Sequence, residues 1–245
     1  MTLIVAHRGD PSVAPESTLP AFEAAVALKV DMVEFDVHQL ADGALVVMHD
    51  ATVDRCTDGS GRLAEMTLPQ VRRLDAGSWF GPEFAATQVP TMAEALEAIP
   101  PPVLLNIHLK TVPDESWRFE AAVLARIEDA GAAPRALVVH DDLPTLNRLR
   151  ALAPQLRYCL LPDTPDGFAY INRAAREGFC VLQPGHGMMS AGFCRAVHDA
   201  EMTANVFYAD DARTMAQYIR WGIDGILTNR PALLAQVRAQ MAAER

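Results

Sequence analysis

The sequence predicts an α/β protein built as a single closed (β/α)8 barrel, and three observations lead there. Short apolar runs alternate with amphipathic stretches along the whole chain, in about eight βα steps. The 245 residues match the roughly 250 that one such barrel takes. No Gly-x-Gly-x-x-Gly follows the first apolar run, which counts against a doubly wound dinucleotide-binding sheet.

The elements follow in order. A first strand is expected at Leu3–His7, ending in His7-Arg8-Gly9. Leu19, Phe22 and Val26 then recur at helical spacing behind Thr18, a suitable N-cap. Met32–Gln39 alternates strictly and reads as the second strand, with Ala44–His49 as a hairpin-like extra strand after it. From about residue 51 to 90 the apolar period weakens and turn chemistry is dense, as in Thr57-Asp58-Gly59-Ser60-Gly61 and Trp79-Phe80-Gly81-Pro82. That stretch reads as an insertion over one barrel end, either a functional lid or a plain excursion. Strands at Val103–Lys110, Ala136–His140, Arg157–Leu161, Phe179–Gln183, Asn205–Ala209 and Gly225–Thr228 complete the barrel. Helices are expected at Met92–Ala98, Glu115–Ala130, Leu143–Ala151, Asp166–Glu177, Ala191–Ala200, Ala212–Trp221 and Ala232–Ala243. The organisation expected is one domain over residues 1–245, with no internal repeat.

Composition narrows the function classes. The chain is 50% hydrophobic and 21% charged, which is globular and not disordered. Twenty-one basic against 31 acidic residues leave a net charge of −10. That balance disfavours nucleic acid and polybasic membrane contact, while a locally positive pocket can still take an anionic small molecule. The opening lacks a basic leader and no apolar run has the length of a membrane span, so a soluble, cytoplasmic protein is expected. Four cysteines show no metal-binding spacing, and Cys159 and Cys180 are expected as buried thiols. The sequence sets no oligomeric state.

Six of the seven histidines (His7, His38, His49, His108, His140 and His186) fall at or just past expected strand ends, the face on which barrel active sites open. In the second strand Val33, Phe35 and Val37 share one face, so Glu34, Asp36 and His38 point into the barrel. Two interior carboxylates need a partner, either a divalent cation or an Arg or Lys. Leu105, Ile107 and Leu109 repeat the device, turning Asn106, His108 and Lys110 inward. Lys110 can pair with a carboxylate or bind an anionic oxygen. Arg8 offers a planar fork for phosphate or carboxylate, and His7 with His49 supplies two imidazoles for proton transfer.

His7-Arg8-Gly9, Ala14-Pro15-Glu16-Ser17-Thr18 with Phe22, Glu34-Phe35-Asp36-Val37 and Val46-Val47-Met48-His49-Asp50 stand in an order that resembles the glycerophosphodiester phosphodiesterase family. Asp42-Gly43, Thr57-Asp58-Gly59-Ser60-Gly61, Val89-Pro90-Thr91 and Asp224-Gly225-Ile226-Leu227-Thr228 extend the resemblance over nearly the whole chain. It implies a TIM barrel with an insertion after the second strand, and metal-dependent hydrolysis of glycerophosphodiesters to glycerol 3-phosphate and an alcohol. It implies His7 and His49 as the acid–base pair, Glu34 and Asp36 as metal ligands, and Arg8 and Lys110 as phosphate contacts. Magnesium or calcium is the metal the resemblance implies. Departures accompany it: His108 stands where a third metal-binding Glu is usual, Ser17 where Asn is usual, and Asn229 where Asp is usual. The seventh strand also lacks the usual Trp-Thr at Val206-Phe207-Tyr208-Ala209. With His108 as a ligand, manganese, zinc or another transition metal becomes the expected ion. Alternative readings are a phosphodiesterase or lyase acting on another headgroup, and a barrel that binds phosphoesters without turnover.

Overall fold

The structure is a computed structural model that describes residues 1–110 and 117–243. Its strands are β1 (Leu3–His7), β2 (Met32–Gln39), β3 (Leu45–Val47), β4 (Leu104–Leu109), β5 (Ala136–His140), β6 (Arg157–Leu160), β7 (Val181–Leu182), β8 (Thr203–Val206) and β9 (Gly225–Thr228). Eight run parallel in the order β6-β5-β4-β2-β1-β9-β8-β7, and β3 pairs antiparallel with β2. The helices are α1 (Leu19–Ala27), α2 (Leu68–Val71), α3 (Met92–Ala98), α4 (Arg118–Asp129), α5 (Leu143–Leu152), α6 (Gly167–Glu177), α7 (Ala191–Asp199), α8 (Ala212–Trp221) and α9 (Pro231–Ala243). Tyr170 of α6 links the two end strands: its hydroxyl donates to the Leu160 carbonyl and accepts from the Gln183 N–H. The result is a nearly closed parallel barrel with helices around it, as predicted. Glu115 and Ser116, at the start of the fourth expected helix, lie outside the described residues.

Local chemistry explains the boundaries. Asp142, Asp166, Ser190 and Asp211 each accept a backbone N–H from the first turn of the following helix. Thr91 and Glu94 form a reciprocal capping box on α3. Thr18 precedes α1 as expected, but its hydroxyl donates to the Pro15 carbonyl and caps nothing. Val33, Phe35 and Val37 on β2, with Leu105, Ile107 and Leu109 on β4, are buried in the main core beside Phe22 of α1. Burying each such side chain contributes about 1.5–3 kcal/mol, so a one-residue slip that reversed the faces would be prohibitive. That register is what sends the intervening polar residues inward.

Gly9 is required at its position. Its φ is +88°, and a Cβ there would lie 2.6 Å from the Ala21 carbonyl carbon. The loop after β1 can therefore fold against the start of α1 only with glycine.

Between β3 and α3 the chain makes α2 and two 3-10 turns, Leu63–Glu65 and Pro82–Phe84. Val53, Leu63, Val71, Ala76 and Val89 form a small core of their own with Leu40, Val46 and Met48 of the β2–β3 hairpin. Turns built around single apolar anchors have no period, which is why the sequence pattern fades there.

Three expectations need correction. The strand expected at Asn205–Ala209 lies at Thr203–Val206, because Thr203 and Ala204 pair with β7; beyond Val206 a single bridge of Phe207 to Gly185 remains, and the Phe207 and Tyr208 side chains stand exposed on the rim. The strand expected at Phe179–Gln183 contracts to Val181–Leu182, and Cys180 in front of it is exposed, not buried. The extra strand stops at Val47, so His49 lies on the segment beyond it.

Candidate active site

The overrun of β2 explains how His49 reaches the barrel mouth. β2 continues to Gln39, and β3 returns alongside it with Gln39 opposite Leu45 and Val37 opposite Val47. The Met48 N–H then donates to the Asp36 carbonyl, which sets His49 at the level of the inward carboxylates. The antiparallel excursion turns a residue thirteen positions after Asp36 into its neighbour. All seven residues singled out in the sequence (His7, Arg8, Glu34, Asp36, His49, His108 and Lys110) line one cavity of about 380 Å³ at the C-terminal ends of the strands.

Glu34, Asp36 and His108 each offer a donor atom, and these atoms lie within 4.8 Å of one another. Lys110 Nζ is 3.2 Å and His108 Nδ1 3.0 Å from Asp36 Oδ1, with Arg8 Nε 3.6 Å from Oδ2. The carboxylate is thus paired with cations as well as grouped with possible ligands. Burial works to raise the Asp36 carboxyl, yet His108 and Lys110 outweigh it and hold the group well below the usual range. Burial, and then the Asp36 charge, push Glu34 well above its ordinary value. Asp36 Oδ1 has His108 and Lys110 beside it, whereas buried Asp36 Oδ2 and Arg8 Nε face each other at 3.6 Å, too far for a hydrogen bond. Buried polar atoms in a native protein are almost always satisfied, so this acceptor and this donor leave room for a polar guest. Two carboxylates and an imidazole at this separation suit a divalent cation, and the residues fit one.

The two imidazoles are held by separate networks. His7 is 6% exposed, with Nδ1 2.7 Å from Asn229 Oδ1 and Nε2 3.8 Å from Glu34 Oε2. Burial, reinforced by the Arg8 charge, brings its pKa down to about 4, so it is neutral at pH 7. Phe207 meets its ring edge-on at 5.3 Å, and Tyr208 stacks at 6.3 Å. His49 donates from Nδ1 to Asp50 at 2.6 Å, which leaves Nε2 free. Arg55, from the insertion, bridges Asp50 at 2.6 Å and Glu16 at 2.7 Å, and Glu16 also holds Arg8 at 2.7 Å. A continuous chain of charge therefore runs from His49 to Arg8 through Arg55. Sequence reasoning did not single out Glu16, Asp50, Arg55 or Asn229 for these roles. Glu16 and Asp50 stand inside the quoted motifs, but the contact with Arg55 spans loops without periodicity.

The remaining histidines part from the site. His38 Nε2 is 3.3 Å from the His49 carbonyl oxygen, and His140 Nδ1 accepts the Asp142 N–H. His186 lines a neighbouring cavity with Tyr208 and Asp210. Ser17, where Asn is usual, has φ +58°, a left-handed backbone that Asn adopts more readily.

Comparisons with known proteins come from three directions. The family model described as "Glycerophosphoryl diester phosphodiesterase family" matches residues 7–233. A protein of Caldanaerobacter subterraneus subsp. tengcongensis named glycerophosphodiester phosphodiesterase is 32% identical over 234 residues, 95% of this chain and 96% of its own. The crystal structure of a glycerophosphodiester phosphodiesterase from Agrobacterium tumefaciens aligns with a TM-score of 0.84 and 28% identity, over 96% of this chain and 100% of that one. An Oleispira antarctica phosphodiesterase, solved in complex with the product sn-glycerol-3-phosphate, aligns with a TM-score of 0.87 and 26% identity, over 96% of both chains. Among the described residues no helix is long and apolar enough to cross a membrane.

Proposed function

The chain belongs to the glycerophosphoryl diester phosphodiesterase family, and from that premise we propose that it hydrolyses glycerophosphodiesters to glycerol 3-phosphate and an alcohol, using a divalent metal and two histidines. The observation that carries the reading is the single cavity that gathers His7, His49, Arg8, Lys110 and the Glu34–Asp36–His108 group. Its volume lies in the usual range for small-molecule sites, roughly 300–1,000 Å³. The names of the relatives, and the product held by the Oleispira antarctica protein, support the same substrate class.

Glu34, Asp36 and His108 would hold the metal, which when bound supplies positive charge that polarises the phosphoryl group. Arg8, anchored by Glu16, and Lys110, beside Asp36, present N–H donors to the anionic phosphate oxygens. His7 is neutral, and its Nε2 lone pair accepts a proton from the attacking water, whose oxygen joins phosphorus as the bond to the leaving oxygen breaks. His49 delivers a proton from Nε2 to the leaving oxygen in its imidazolium form, which burial disfavours and which the Asp50 carboxylate on Nδ1 and the Asp36 charge work to stabilise. Exchange of a carboxylate for imidazole at His108 favours manganese, zinc, iron or cobalt over magnesium and calcium, which gain little from nitrogen. We place the protein in the cytoplasm, a reading its four free cysteines support.

The test is a turnover assay on glycerophosphocholine with chelator-stripped protein to which single metals are returned. Release of glycerol 3-phosphate, absent under chelation and restored best by a first-row transition metal, is the expected result. No release with any metal would overturn the reading.

A further inference from the structure

The Nδ1 of His7 faces the side chain of Asn229. An amide can turn either its oxygen or its nitrogen toward a neighbour, and that choice decides which imidazole nitrogen carries the proton. Asp210 decides it here. Its carboxylate only accepts, and three donors converge on it: the Thr228 hydroxyl and the Asn229 N–H on Oδ1, each at 2.8 Å, and Asn229 Nδ2 on Oδ2 at 2.7 Å. With its nitrogen committed to Asp210, the amide shows its oxygen to His7. Nδ1 must then be the protonated nitrogen, and Nε2 keeps its lone pair. His7 ends β1, Asn229 directly follows β9 and Asp210 lies on the loop four residues beyond β8, three strands adjacent in the barrel. Asp210 lines the cavity next door and not the catalytic one.

We propose that Asp210, through the amide of Asn229, is a positioning residue that fixes His7 in its Nδ1–H tautomer and so keeps Nε2 free to accept a proton. The use of Nε2 rests on the function proposed above; the tautomer does not. The pairing also accounts for asparagine at position 229, since an aspartate there would set two carboxylates face to face.

Asp210→Asn tests the relay at nearly constant shape. The new amide keeps its oxygen toward the Thr228 hydroxyl and the Asn229 N–H and places its nitrogen where Oδ2 stood. Asn229 must then turn over to accept from it, which presents Nδ2 to His7 and forces the Nε2–H tautomer. Long-range proton–nitrogen correlation spectra of zinc-loaded protein read this directly, with His7 assigned through a His7→Asn variant. The expected result is an Nδ1–H signature in the parent and an Nε2–H signature in Asp210→Asn. The same variant should lose turnover by roughly 10²–10⁴-fold, the range for a lost proton-transfer group, with the upper end that of a catalytic imidazole trapped in the wrong tautomer, and KM should change little. The double variant Asp210→Asn/Asn229→Asp restores an acceptor at His7 and a donor opposite it, so tautomer and turnover should both recover. If Asp210→Asn does not fold, Asn229→Ala serves, with mixed tautomers expected. An unaltered Nδ1–H signature in either single variant overturns the relay. A flipped tautomer with undiminished turnover upholds the relay and removes His7 Nε2 from the mechanism.

Discussion

His108→Glu probes the metal group from two sides. The imidazole stands 3.0 Å from Asp36 Oδ1, in a group that already holds Glu34. A carboxylate placed there would repel Asp36 by about 5 kcal/mol at an effective dielectric near 20. Lys110 already pairs with Asp36 in the parent, so relief comes from its new attraction to the added carboxylate and from proton uptake by the pair, which holds the net cost to about 3 kcal/mol. For a chain of this size such a loss lowers the melting temperature by roughly 6–12 °C. Metal should reverse it, because a ligand bound only by the folded state stabilises by about 2.7 kcal/mol at a hundred times its Kd. Melting curves with chelator, and then with manganese, zinc, magnesium or calcium, would be read beside turnover with each ion. The parent should prefer the transition metals. The variant should melt lower without metal, gain more from metal, and shift roughly tenfold toward magnesium and calcium. An identical metal order in both proteins, with identical metal-induced shifts, would remove His108 from the ligand set.

Other perturbations test separate links. His7→Ala and His49→Ala should each lower turnover by roughly 10²-fold or more with KM little changed; near-normal turnover excludes the altered residue from proton transfer. In chelated protein the buried His7 titrates at about 4, whereas an unfolded imidazole titrates near 6.5. Between those values the unfolded state binds the extra proton, so stability should fall as pH drops, by up to about 3 kcal/mol across the window. His7→Asn should flatten that part of a urea-derived stability curve, and an unchanged slope would contradict a neutral His7. Gly9→Ala places a Cβ 2.6 Å from the Ala21 backbone at φ +88° and should cost about 3 kcal/mol by chemical denaturation; a loss within 0.5 kcal/mol would refute the close approach.

How much of this was legible follows from periodicity. Strict alternation in β2 and β4 gave Glu34, Asp36, His108 and Lys110 a common direction, because one face of each strand is apolar and must pack outward. Chain order alone carried His7, Arg8 and His49, and the hairpin that returns His49 to Asp36 was expected only as an extra strand. The networks that orient the imidazoles were not visible. Arg55 reaches Glu16 across 39 positions and Asn229 reaches His7 across 222, from loops whose contacts leave no pattern in sequence. The Val206-Phe207-Tyr208 run misled for a related reason: apolar residues read as strand core, yet both rings stand on the rim beside His7. Cys180 likewise lies in an apolar run but just outside a strand of two residues.

The central claim is hydrolysis of a glycerophosphodiester at the Glu34–Asp36–His108 cavity, and phosphorus NMR in ¹⁸O-enriched water tests it most directly. With glycerophosphocholine and a transition metal, the diester resonance should give way to a glycerol 3-phosphate resonance that carries the isotope shift of one water-derived oxygen on phosphorus. Persistence of the diester with every metal, a cyclic phosphate as the final product, or glycerol 3-phosphate without the shift would contradict the account.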